Sequence, residues 1–184
     1  MRFKNGLFIA SLILAAPLAF AGPKVIMQTS LGDIKFELND EKAPISTQNF
    51  LSYVDKDHYE GLVFHRVIPG FMIQGGGMDA DMRERNTDSP IKNESMNGLS
   101  NVRGSIAMAR TQAPNSATAQ FYINTVDNQG LDGRSNRPGY AVFGKVIEGM
   151  EVVDKISAVQ TGNVSYYRNV PREPITILSV ERID

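Results

Sequence analysis

Cysteine is absent from all 184 residues, so disulfides, a thiolate nucleophile and a lipid-modified cysteine anchor are all excluded. Histidine is almost absent: His58 and His65 stand alone, with no carboxylate at ligand spacing, and no metal is expected. Neither sign of charge dominates, because 19 Lys and Arg face 20 Asp and Glu without any basic cluster. Such a chain has no electrostatic footprint for nucleic acid. There is no Gly-x-Ser-x-Gly elbow, no phosphate-cradling Walker loop and no dinucleotide fingerprint. Most hydrolase, metalloenzyme and nucleotide-dependent readings fall with these absences, and no cofactor is expected.

The N-terminus carries Arg2 and Lys4, an uncharged and mostly apolar run from Gly6 to Leu18, and then Ala19-Phe20-Ala21-Gly22. The run is shorter than the roughly 20 residues a bilayer span needs, and the basic, apolar, small-residue order is that of a secretory signal peptide. Cleavage is expected after Ala21, leaving residues 22–184 with no stable membrane anchor and a net charge that moves from −1 to about −3 once Arg2 and Lys4 are gone. A chain of that length makes one domain and buries about two thirds of its unfolded surface. Without disulfides, its stability must come from that core.

Alternation in Asp33-Ile34-Lys35-Phe36-Glu37-Leu38, preceded by Val25-Ile26-Met27 across Ser30-Leu31-Gly32, predicts a β-hairpin. Pro44 suits a first helical turn, and Phe50, Leu51 and Val54 share a face, so a helix is expected from Pro44 to Lys56. Short β-type runs follow at Leu62–Ile68, Phe71–Gln74, Ser105–Ala109, Phe121–Asn124, Tyr140–Ile147 and Ile175–Ile183. A second helix carries Val152, Val153 and Ile156. Eight short strands and two helices without βαβ rhythm point to a mainly β protein, an antiparallel barrel or sandwich. Gly77 to Arg103 is polar and aperiodic, and reads as a long surface loop.

The segment Phe64-His65-Arg66-Val67-Ile68-Pro69-Gly70-Phe71-Met72-Ile73-Gln74-Gly75-Gly76 places an arginine among apolar and aromatic residues. Strand alternation sends Phe64, Arg66 and Ile68 one way and His65 and Val67 the other. On this segment alone, Arg66 is equally an arginine snorkelling over a sheet face and one that serves an apolar ligand with a single polar atom. His65 reads as a structural histidine.

Together with Gly104-Ser105-Ile106-Ala107-Met108-Ala109-Arg110, Ala119-Gln120-Phe121-Tyr122-Ile123 and Val142-Phe143-Gly144-Lys145-Val146, the segment resembles the cyclophilin family in order and spacing over nearly all of residues 22–184. The likeness is greatest to bacterial periplasmic cyclophilins. The resemblance implies a closed eight-stranded antiparallel β-barrel capped by two α-helices, with an active site in a groove on its outer surface. It implies a peptidyl-prolyl cis/trans isomerase that acts on proline-containing segments of folding proteins. A non-catalytic proline-peptide module or holdase is the alternative. By motif, Arg66 matches the catalytic arginine. Phe71, Met72, Gln74, Ala109, Arg110, Gln120, Tyr122, Leu131 and Tyr140 match substrate-binding positions, Ala109 and Arg110 through their backbone.

The chain departs from the family pattern at Tyr122, where phenylalanine is common, and at Gly130, where tryptophan is common. Tyr140 stands where many relatives have histidine, and Arg110 where they have asparagine. Gly130 implies weak binding of cyclosporin. With the signal peptide, the resemblance implies a periplasmic protein, or a secreted one. No oligomer interface is evident in the sequence, and a monomer is expected.

Overall fold

The computed structural model describes residues 22–183, so the expected signal peptide lies outside the described residues. Ten strands and two α-helices follow in the order β1 (Lys24–Thr29), β2 (Gly32–Leu38), α1 (Pro44–Val54), β3 (Arg66–Ile68), β4 (Met72–Gly75), β5 (Ser105–Met108), β6 (Phe121–Asn124), β7 (Val142–Glu148), α2 (Met150–Ser157), β8 (Thr161–Val164), β9 (Tyr167–Pro171) and β10 (Ile177–Ile183). The hairpin, both helices and the six further runs read from the sequence all appear, most with shorter ends. The two-stranded β8–β9 ribbon was not anticipated. Its residues, such as Gly162-Asn163 and Asn169, carry almost no apolar alternation.

Eight strands form one antiparallel sheet in the order β10-β1-β2-β7-β5-β6-β4-β3. Its edges, β3 and β10, are drawn together by an isolated bridge between Val63 and Thr176. Three backbone bonds join the same stretch: Gly61 N–H to the Ile177 carbonyl (2.9 Å), Ile177 N–H to Leu62 (2.8 Å) and Phe64 N–H to Ile175 (3.0 Å). The sheet is thus curled around its core, and the continuous closed ladder implied by the resemblance is replaced at this seam by an isolated bridge. The cause lies in β3. It begins only at Arg66, because Phe64 is turned into the core behind Gly75, where an added Cβ would meet the Phe64 ring at 3.2 Å. Phe64 therefore does not share the outward face of Arg66, and the alternation expected across 64–68 fails at its first residue.

Inside the curl, Phe36, Phe50, Tyr59, Phe64, Phe121 and Phe143 are fully buried. Phe121 meets Phe50, Tyr59 and Phe64 edge-on, with ring centroids 5.8, 5.6 and 6.1 Å away. Each such side chain removed from water contributes about 1.5–3 kcal/mol, and the edge-to-face geometry suits the ring quadrupoles. Helix α1 lays Phe50, Leu51 and Val54 against β7 and β10, and α2 lays Val152, Val153 and Ile156 against β2, β3 and β4. These helices close the core that the strands leave open.

The start of α1 has Ala43 at its N-cap, with no side-chain acceptor, and Pro44 in its first turn. The missing acceptor comes from the 77–103 loop. Glu94 accepts from the Ile45 N–H (3.0 Å), the Ser46 N–H (2.7 Å) and the Ser46 hydroxyl (2.7 Å). A carboxylate at a helix N-terminus satisfies orphan donors and meets the positive end of the dipole. The loop is polar because its side chains bond the fold. Glu94→Ala is expected to lower unfolding free energy by about 1–2 kcal/mol, and Glu94→Gln by less, in urea denaturation followed by circular dichroism.

Candidate functional site

Antiparallel register builds the site. Arg66 stands opposite Gln74, Gln74 opposite Tyr122, Tyr122 opposite Ala107, and Ala107 opposite Val142, so one row crosses five strands on a single face. The neighbouring row of Val67, Ile73, Ile123 and Ile106 points to the interior, and all four are fully buried. On the outer face Met72, Ala107, Tyr122 and Val142 form a second apolar cluster, separate from the core. Ile68, Phe71, Leu99, Ala109, Leu131 and Tyr140 pack against it. The structure therefore brings Phe71, Met72, Ala109, Tyr122, Leu131 and Tyr140 together around one apolar floor.

The polar edge of this floor is a relay of side chains. Arg66 Nη1 donates to Gln74 Oε1 (3.3 Å), and Gln74 Nε2 donates to Gln120 Oε1 (2.9 Å). Arg66 takes part in none of the ion pairs among the described residues, so its charge has no carboxylate beside it. Gly76 makes room for Phe121 and the Ala119 carbonyl, and Gly77 for Gln120. Gly76 has φ +84°, with Phe121 and Ala119 pressed against it, and a Cβ on Gly77 would lie 2.5 Å from the Gln120 side chain. The glycine run after β4 thus follows from how closely β6 passes.

The Tyr122 hydroxyl donates to Asn101 Oδ1 (2.6 Å), which also accepts from Asn124 Nδ2 (3.2 Å). Burial pushes the Tyr122 phenol well above its ordinary pKa, so it stays a donor. Asn101 in turn donates through its backbone and side chain to Asp132 Oδ1 (2.7 and 2.9 Å), while Ser100 donates to Asp132 Oδ2 (2.5 Å). Burial works against the Asp132 charge, but these hydrogen bonds hold its carboxyl below the usual range. Asn128 Nδ2 ties Asn124 Oδ1 (2.7 Å) to the Phe71 carbonyl (2.8 Å). The floor therefore rests on a satisfied polar network, which fixes the tyrosine ring. Sequence reading passed over Asn101, Asp132 and Asn128. Asn101, fully buried, lies in a stretch whose polarity and lack of period signalled only a loop.

Arg110 behaves differently from Arg66. Its guanidinium donates to the carbonyls of Gly139 (2.9 Å), Thr111 (2.8 Å), Gln112 (3.4 Å) and Pro138 (2.9 Å) and lies 4.5 Å over the Tyr140 ring. Tyr140 meets Tyr122 edge-on at 5.8 Å. The Arg110 side chain holds the groove wall. The Ala109 N–H bonds the Gln120 carbonyl (2.9 Å), while the Ala109 carbonyl and the Arg110 N–H have no hydrogen-bond partner among the described residues and are free to meet an extended peptide.

Comparison with known proteins shows the family. The family model described as cyclophilin type peptidyl-prolyl cis-trans isomerase/CLD matches residues 24–182. A peptidyl-prolyl cis-trans isomerase of Acinetobacter baylyi is 55% identical over 163 residues, covering 89% of this chain and 87% of the relative. Peptidyl-prolyl cis-trans isomerase B of Escherichia coli is 52% identical over 159 residues, covering 85% and 97%. A crystal structure of a Cryptosporidium parvum cyclophilin type isomerase superposes with a TM-score of 0.73 at 27% identity, covering 88% of this chain and 98% of that one. The same protein in the presence of the dipeptide Ala-Pro gives 0.72.

Behind the groove, His65 is 5% exposed, and its Nδ1 has no partner among the described residues. Burial lowers its pKa to about 4. The unfolded chain takes up this proton near pH 6.5, whereas the folded protein resists it until about pH 4. The stability from the neutral imidazole is thus complete above pH 6.5 and lost as pH falls to 4, an effect of roughly 3 kcal/mol. Denaturant melts between pH 7.5 and 4 are expected to show His65→Gln losing less stability on acidification than the parent; equal losses would refute this.

Proposed function

The chain belongs to the cyclophilin-type peptidyl-prolyl cis-trans isomerases and accelerates rotation about X-Pro peptide bonds, and on that premise we propose that Arg66 is its catalytic residue. The observation that supports this most is the uncompensated Arg66 guanidinium at the edge of an apolar floor, held through Gln74 and Gln120. Rotation about X-Pro crosses a barrier of about 18–20 kcal/mol because it breaks amide conjugation, and no covalent bond changes hands. At the twisted geometry the prolyl nitrogen becomes pyramidal and recovers a localised lone pair. A fixed guanidinium then donates to that nitrogen more strongly than in either planar state, and this difference is what accelerates the step. Phe71, Met72, Tyr122 and Leu131 hold the proline ring, the free backbone of Ala109 and Arg110 pairs with the peptide, and Tyr140 lines the far wall. Gln74 and Gln120 position Arg66. Arginine suits the role because its planar fork keeps both direction and charge.

We further read the protein as exported to the periplasm and acting as a monomer on proline-containing segments of folding proteins, with the β3–β10 seam completing the barrel. The basic, apolar and small-residue order of residues 1–21 supports export. Among the described residues no helix is long and apolar enough to cross a membrane.

A hydrogen bond to a charged donor is worth about 1.5–3 kcal/mol, so Arg66→Ala is expected to reduce kcat/KM on an X-Pro peptide about 10- to 100-fold while leaving the circular dichroism spectrum intact. Arg66→Lys is expected to recover little, as read by exchange NMR. An alanine variant at the parent rate would sink the assignment. Intact mass of the protein expressed in a Gram-negative host is expected to correspond to a chain beginning at Gly22; a cell-associated form retaining Met1 would refute export.

A further inference from the structure

A cavity of about 460 Å³ opens beside the groove, walled by Arg110, Pro114, Gly130, Leu131, Arg137 and Tyr140, with neighbours from the same loops. Leu131 and Tyr140 also pack against the outer apolar cluster, so their side chains separate this cavity from the pocket assigned to the proline ring. We propose that the cavity is a subsite for an acidic residue flanking the substrate proline, with Arg137 and Arg110 as the charges that select it. This rests on the reading that the groove takes an X-Pro segment.

Arg110 donates to four carbonyls and stacks on Tyr140, and Arg137 Nη2 donates to the Gly130 carbonyl (2.6 Å). Every one of those acceptors is neutral. Neither arginine takes part in the ion pairs among the described residues, so two full positive charges wall the cavity without a counter-charge. The carboxylate nearest in sequence, Asp132, is engaged on both oxygens by Ser100 and Asn101. Carbonyl bonds also restrain both guanidinia in advance, which lowers the ordering cost of meeting a ligand.

Space and chemistry select a peptide side chain. A Cβ built on Gly130 meets nothing within 4 Å, and the backbone there is outside the left-handed region, so the absence of a side chain is what keeps the cavity open. Leu131, Pro114 and Pro138 give it apolar walls. A glutamate suits this mixture, its methylenes against the prolines and its carboxylate toward the guanidinia. Lysine at the same position meets two like charges.

The test is a set of short Ala-Pro peptides carrying Glu, Gln or Lys at each position flanking the dipeptide, with kcat/KM measured at low and high ionic strength. At one flanking position Glu is expected to exceed Lys by about two- to fivefold at low salt, as for a partly exposed ion pair, with the ratio falling toward one at high salt. Arg137→Ala is expected to reduce that ratio, with the Glu and Lys rates of each variant read against that variant's own Gln rate. Arg137→Glu is expected to invert it, and Gly130→Phe, which fills the cavity, to abolish it. No charge preference at any position, or a preference indifferent to both Arg137 variants and to Gly130→Phe, would overturn the proposal. The ratio is read on the parent enzyme, so failure of the Arg66 assignment leaves this measurement intact.

Discussion

The antiparallel register of β3, β4, β6 and β5 is the constraint on which everything else hangs. It sends Val67, Ile73, Ile123 and Ile106 into the core, and Arg66, Gln74, Tyr122 and Ala107 onto the outer face. Because side chains alternate with period two, a slip of one residue would bury the guanidinium and expose the core row. The register is therefore held by the whole apolar interior. Phe121 shows the coupling most directly: it sits among Phe50, Tyr59 and Phe64, while its neighbours Gln120 and Tyr122 form the groove.

The groove asks little of titrating chemistry, and this accounts for a composition poor in cysteine and histidine. Isomerisation about an amide needs a directed donor and an apolar seat for the proline ring. What must be rigid is the aim of the donor and the wall of the seat. On the proposed reading Gln74 and Gln120 supply the first, and the buried Tyr122–Asn101–Asp132 network supplies the second. A satisfied buried polar network keeps one geometry, because any rearrangement strands a donor or acceptor in low dielectric.

Much of the scaffold was legible along the chain. Strong alternation in Asp33–Leu38 and helical spacing in Phe50, Leu51 and Val54 are local signals of burial, and the elements formed where those signals stood. The β8–β9 ribbon lacked such a signal because it buries little. Phe64 misled the alternation because the chain enters β3 irregularly, a consequence of the space behind Gly75. The 77–103 loop looked like uncommitted surface, although Glu94 caps α1 and Asn101 anchors the groove. Both partners lie far from the loop in sequence.

By itself the sequence determined the mainly β architecture through alternation and turn residues, and the class of reaction and the candidate residues through the resemblance of four motifs to the cyclophilin family, signals that are local and survive without coordinates. Tertiary structure alone decided what each residue touches. Two arginines, 66 and 110, are equally charged on paper. One stands at the edge of an apolar floor with a single glutamine bond, and the other is tied to four carbonyls and an aromatic ring. Long-range packing makes most of that difference: Gln120 behind Arg66, and Pro138, Gly139 and Tyr140 around Arg110, are brought there by other strands and loops, and no pattern of neighbours along the chain encodes where those will pass.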